Sequence, residues 1–195
     1  RIRGRAMQEA VPVGVGAMAA LLGLDFATAS EVALEAAQGE VCQAANDNDP
    51  AQVVVSGHKA AVERACDLAK ARGAKRALML PVSAPFHCAL MQPAADAMAE
   101  ALGKTPPGAM RLPLYANVTA SAVDDPAEVR RLLVEQVTGR VRWRESVLAM
   151  VAGGTEQFVE LGGKVLGPMI GRCVDDVSVT SVVGMADIEA LLAGI

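Results

Sequence analysis

The sequence predicts an α/β protein, and three observations carry that expectation. Residues 14–82 read in the order β-α-β-β-α-β, and the stretches beyond 82 alternate between strand-like and helix-like. In addition, 52% of the 195 residues are hydrophobic against 21% charged, with a net charge of −4, which suits a packed core. This composition excludes an intrinsically disordered chain and a nucleic-acid-coating one. Only 3% of residues are aromatic, with Trp143 and Tyr115 alone of their kinds, so Ala, Val, Leu and nine Met must fill the interior. Base stacking on aromatic platforms is not expected.

Each element has its own local reason. Ile2, Ala6, Met7 and Ala10 recur at helical spacing, so the chain opens inside an amphipathic helix. A chain that begins there, at Arg1 and without Met, reads as part of something longer. Residues 14–23 are small, apolar and bounded by glycines, a buried strand, and Asp25 then opens an Ala/Glu-rich helix reaching Gln38. Residues 41–45 and 52–56 read as strands, the second rich in valine. Between them Asn46, Asp47, Asn48, Asp49 and Pro50 are dense turn chemistry. From His58 to Arg72, Ala61, Val62, Ala65, Leu68 and Ala69 mark a helix that Gly73 stops, and residues 77–82 are apolar again. That order is the ferredoxin-like split βαβ pattern, a compact subdomain over residues 14–82.

Beyond it, residues 89–102 are an Ala/Met helix closed by Gly103, and Pro106, Pro107 and Gly108 break the chain. Residues 112–118 read as a short strand. Asp125 and Pro126 open a helix to Val137, and residues 143–151 make another. Residues 157–161 form a strand, Gly162 and Gly163 lead into a helix from Lys164, and residues 177–183 and 186–192 add a last strand and helix. The alternation implies a parallel sheet covered on both faces, with too few strands to complete a doubly wound one.

The longest uncharged apolar run, residues 11–24, contains Pro12, Gly14 and Gly16 and is too short and too broken to cross a bilayer. Gln8 and Glu9 follow the basic start where an export signal would be apolar. Cys42, Cys66, Cys88 and Cys173 form no metal-ligand spacing and read as reduced thiols, so a cytoplasmic location is expected.

The chain has two histidines, hence two obvious candidates for a base near neutral pH. His87 lies where an extended run gives way to a helix, a position at which α/β sheets build sites; a packed loop histidine is the bland alternative. His58, at a helix start, reads as a capping or surface residue. Ser56 to Lys59 matches the serine–lysine SxxK pattern, but the companion motifs of that class are absent. Cys88 points away from His87 in an extended segment and reads as a structural thiol. No GxSxG elbow occurs, so a nucleophile for His87 would lie outside these residues. Arg3, among small residues, is either solvated or a bidentate carboxylate ligand. Gln136, Asn46 and Asn48 read by default as turn or helix-surface residues.

Five stretches then fall into one pattern: residues 3–12 (RGRAMQEAVP), 16–20 (GAMAA), 52–58 (QVVVSGH), 81–91 (PVSAPFHCALM) and 163–166 (GKVL). In this order they closely resemble the malonyl-CoA:acyl carrier protein transacylases of fatty acid synthesis, over essentially the whole chain. The resemblance implies an α/β-hydrolase-like acyltransferase large domain, incomplete here, formed by residues 1–13 and 83–195. The ferredoxin-like subdomain at 14–82 is inserted in it. It places the match after the family's serine elbow and oxyanion loop. It implies ping-pong acyl transfer from malonyl-CoA, through a serine, to the phosphopantetheine thiol of acyl carrier protein. It also implies that these 195 residues alone are inactive.

By the same resemblance His87 is the base, and Gln136 holds its imidazole by a hydrogen bond in place of an aspartate. Arg3 pairs with the free carboxylate of malonate. Phe86 crowds 2-methyl branches, and Asn48, with Asn46 beside it, lines the substrate cleft. One departure stands out: Leu161, Gly162, Gly163 and Lys164 lack the proline of the family's Gly-Pro-Gly, shortening a loop near the site. No resident cofactor or metal is expected, since phosphopantetheine belongs to the carrier protein. Nor is a nucleic-acid or membrane partner, and the complete protein is expected to be monomeric. An acidic carrier needs a basic dock, for which Lys70, Arg72, Lys75 and Arg76, or Arg140, Arg142 and Arg144, are candidates against a reading as solvated charge. The alternatives are a non-catalytic module binding a small ligand and an acyltransferase of different acyl choice.

Overall fold

A computed structural model describes residues 1–194. Its first half runs α1 (Ile2–Glu9), β1 (Gly16–Leu22), α2 (Phe26–Ala37), β2 (Cys42–Asp49), β3 (Gln52–His58), α3 (Lys59–Ala71) and β4 (Arg76–Met79). The four strands form one antiparallel sheet in the order β2-β3-β1-β4. Strand alternation sends Ala17, Ala19 and Leu21 of β1 to one face, where α2 and α3 cover them with Ala29, Val32, Ala33, Ala36, Ala61, Val62 and Ala65. Alanines at these crossings let both helices lie close to the sheet. Met18 and Ala20 point to the other face, with Ala45 and Val54, and Phe86 packs against them there. Local chemistry sets the ends of α2: the Asp25 carboxylate accepts the Thr28 N–H at 2.8 Å, and Gln38 and Gly39 leave the helix with φ of 46° and 89°.

Of the turn expected at residues 46–50, only Pro50 lies in it; residues 46–49 are the second half of β2. Tertiary partners outweigh local turn propensity here. Asp47 is gripped at both oxygens by Arg144, at 3.0 and 2.8 Å, and Asp49 by Arg172 at 2.6 Å. The Asp47 N–H donates to the Val141 carbonyl at 2.9 Å, and the Val141 N–H to the Ala45 carbonyl at 2.8 Å. Of residues 46–49, only Asp49 retains a turn role, accepting the Ala51 N–H at 2.9 Å.

The second half opens with a 3-10 turn, Ala89–Met91, that passes directly into α4 (Gln92–Lys104), so Gly103 lies inside the helix instead of closing it. There follow β5 (Leu114–Ala116), β6 (Ser121–Val123), α5 (Pro126–Thr138), α6 (Trp143–Ala152), β7 (Gln157–Leu161), α7 (Leu166–Cys173), β8 (Ser178–Val182) and α8 (Met185–Ala193). The expected parallel sheet, with few strands, is represented among the described residues by the parallel pair β7 and β8; β5 pairs antiparallel with β6, a strand the sequence did not announce. Met7 and Val11 near α1, Met91, Ala94 and Ala95 at the start of α4, and Val137 of α5 share a second core. None of the helices is long and apolar enough to cross a membrane among the described residues.

Candidate functional site

The segment from Ala84 to Cys88 is held against both cores. Ala84, Pro85 and Cys88 are buried, and Phe86 packs against the open sheet face on one side and the Met7 cluster on the other. Pro85 lies so close to the start of β1 that a Cβ on Gly16 would come within 2.2 Å of its Cγ. The Cys88 thiol donates to the Pro85 carbonyl at 3.2 Å, and burial pushes its proton affinity up, as befits a structural thiol.

Between these anchors His87 takes φ of 59°, a left-handed conformation rare outside glycine and worth relating to function. Its Nδ1 lies 2.9 Å from the Gln136 carbonyl oxygen. A carbonyl only accepts, so Nδ1 carries the proton and Nε2 is left with its lone pair, the form a general base requires. Within Gln136 it is the main chain that holds the ring. The Gln136 amide is turned away, donating to the Gly139 carbonyl at 3.1 Å, because Gln136 sits in the last turn of α5, where carbonyls are free to accept. Burial lowers the pKa of His87 below the ordinary value; the carbonyl contact opposes this, and the positive charge of Arg3 lowers it further.

Arg3 is exposed on α1, one turn before the buried Met7, with no ion-pair partner among the described residues. Gln8, on the same helix, donates to the Ser83 hydroxyl at 2.7 Å and so ties α1 to the segment carrying His87. The structure thus gathers Phe86, His87 and Gln136, with Arg3 on the helix whose Met7 packs in the same cluster as Phe86. Asn48 stands apart, buried near the end of β2 between the two aspartates gripped by arginines, its carbonyl facing the Cys173 thiol at 3.6 Å.

Sequence reasoning missed Gln8, Gly16 and Gln43. Gln43 reaches from β2 to accept the Ala89 N–H at 2.7 Å, and nothing in its local sequence marks it. His58 caps no helix amide; its Nδ1 accepts the Val41 N–H at 2.9 Å. The shortened loop at 161–164 is closed by Glu160. Its carboxylate accepts from the N–H groups of Val165, Leu166 and Gly167 at 2.8, 3.0 and 2.9 Å and from the Ser181 hydroxyl at 3.3 Å. Those bonds, led by Leu166, hold its pKa below the usual carboxylate value. Of the basic candidates, Arg140 and Arg142 pair with Glu145, Arg144 with Asp47, Arg72 with Glu31 and Glu35, and Lys70 with Asp67. An apolar groove of about 670 Å³ between α4 and α5, lined by Ala99, Pro106, Pro107 and Val134, contains none of the predicted site residues.

A family model described as acyl transferase domain matches residues 1–186. The chain is 46% identical over 192 residues to a malonyl CoA-acyl carrier protein transacylase of Salmonella typhimurium, covering 98% of this chain and 62% of that protein. The crystal structure of an acyl-carrier-protein-S-malonyltransferase from Bartonella henselae superposes with a TM-score of 0.95 at 49% identity, over 100% of this chain and 63% of that one. A type II PKS acyl-carrier protein in complex with its malonyl-transacylase gives 0.96 at 42% identity, over 100% of this chain and 63% of its counterpart. The chain therefore spans about 60% of the length of the curated relatives it matches. On the family match, the chain belongs to the acyl transferase domain family.

Proposed function

We propose that these residues form part of a malonyl-CoA:acyl carrier protein S-malonyltransferase, acting in fatty acid biosynthesis in the cytoplasm and monomeric when complete. In this reading residues 14–82 are a ferredoxin-like subdomain inserted in an incomplete α/β-hydrolase-like large domain, residues 1–13 and 83–195. The observation that carries it is the ring of His87, held through Nδ1 by a main-chain carbonyl with Nε2 left basic, beside the Arg3 charge.

The chemistry follows from that arrangement. A serine hydroxyl, supplied in this reading from outside these residues, loses its proton to His87 Nε2 as its oxygen attacks the thioester carbonyl of malonyl-CoA. The C–S bond breaks, and the imidazolium returns the proton to the CoA sulfur. The phosphopantetheine thiol of acyl carrier protein then gives its proton to the same nitrogen, attacks the acyl ester, and the serine oxygen leaves and is reprotonated. Lowered proton affinity keeps His87 neutral and ready at pH 7. Arg3 receives the free malonate carboxylate, and Phe86 narrows the site beside it. No resident cofactor takes part in this reading.

Intact mass before and after malonyl-CoA tests the reading. A protein of the relatives' full length that contains this chain gains one malonyl group, whereas the 20.1 kDa chain gains none. An adduct on the 195 residues alone would overturn the placement of the nucleophile.

A further inference from the structure

We propose that Gln43 is a positioning residue for His87, locking the imidazole in place from the neighbouring sheet; the inference rests on the reading of His87 as the base. The backbone at His87 is left-handed and does not settle there by local preference. It is held on its N-terminal side by the wedge of Pro85 against Gly16 and through its ring by the Gln136 carbonyl. The C-terminal side needs a third restraint, because the 3-10 turn at Ala89–Met91 begins with Cys88 at its cap position and no side chain of its own segment accepts the first N–H groups.

Gln43 supplies that acceptor from another element. Its register opposite Ser56, itself opposite Met18, places it on the open face of the sheet, the face against which Phe86 packs. From there Oε1 takes the Ala89 N–H at 2.7 Å, two residues past His87. The bond fixes where the turn starts relative to β2, and so fixes the direction in which His87 presents its ring to Gln136. The two restraints come from different elements, one from β2 and one from α5, and together they keep the left-handed residue in a single orientation.

The chain contains its own control. Its two histidines are held in opposite tautomers: His87 donates from Nδ1 to a carbonyl, and His58 accepts at Nδ1 from the Val41 N–H, two residues before Gln43 on the same stretch of chain. Nitrogen-15 NMR of the ring nitrogens at a fixed pH of about 8 reads both at once in the full 195-residue chain. Gln43→Ala is expected to bring the Nδ1 and Nε2 shifts of His87 toward each other, as the ring samples both tautomers, while those of His58 stay in place. Gln43→Glu, which keeps an oxygen at the acceptor position, is expected to leave both rings as in the parent.

Unmoved His87 shifts in Gln43→Ala overturn the proposal. So does a joint movement of His58 and His87, which would mean that β2 itself had been disturbed, and so does a failure of Gln43→Glu to preserve the His87 signature. Because the readout is a ring nitrogen and not turnover, this outcome is separable from that of the transfer reading, which stands or falls on malonyl uptake.

Discussion

Removing either partner of the Asp47–Arg144 pair tests how the sheet is fastened to α6, and the structure predicts that the two removals differ. The Asp47 side chain is 1% exposed and that of Arg144 is 29% exposed. Arg144→Ala therefore strands a carboxylate with no access to water, a change that costs about 3–5 kcal/mol. Asp47→Ala leaves a guanidinium that turns toward solvent, so the loss is nearer that of its charged hydrogen bonds, about 1.5–3 kcal/mol. The double variant leaves no unpaired buried charge at this pair and is expected to be more stable than Arg144→Ala alone. Urea unfolding followed through Trp143, the only tryptophan and the neighbour of Arg144, measures all three. If Asp47→Ala costs as much as Arg144→Ala, or more, the burial argument is wrong.

Three other expectations follow from the site. Gly16→Ala puts a Cβ within 2.2 Å of the Pro85 ring, so it should cost about 1–3 kcal/mol in urea unfolding and shift the NMR signals of His87; a neutral substitution would contradict the close approach. Burial depresses the His87 pKa below its ordinary 6.5, so the folded chain binds fewer protons there than the unfolded one. The stability His87 contributes is full above about 6.5 and lost as pH falls through the lower folded value; the NMR midpoint should lie below 6.5, and His87→Gln should unfold with a weaker acid dependence. In a protein of the relatives' full length, Arg3→Ala should lower the preference for malonyl over acetyl transfer roughly 10- to 150-fold, the equivalent of a charged hydrogen bond. An unchanged ratio of kcat/KM values would remove Arg3 from the site.

The elements of residues 14–82 were legible because their signals are local: glycine-bounded apolar runs, valine alternation, the Asp25 cap and alanines at helical spacing. The four residues 46–49 misled for a physical reason. Asn and Asp favour turns when nothing else binds them, and the arginines that keep Asp47 and Asp49 extended lie 97 and 123 residues away in the chain. The strand β6 was hidden because three residues carry too little periodicity to announce themselves. In the site, His87 could be picked out by its rarity and its place after an extended run. Gln136 came from the resemblance, but that its main chain and not its amide makes the contact could not be read, since a carbonyl has no letter of its own. Gln43 and Gly16 likewise act through a reach across the sheet and a clearance of a few ångströms, neither of which is written in their neighbours.

The central claim is that His87, with Nε2 free and Nδ1 held by Gln136, is the base of a malonyl transfer. Its most direct test is transfer of labelled malonyl from malonyl-CoA to phosphopantetheinylated acyl carrier protein by a protein of the relatives' full length that contains this chain, with and without His87→Ala. The account predicts that the substitution lowers the rate about 10²- to 10⁴-fold while the protein stays folded. Transfer at the unsubstituted rate would contradict it.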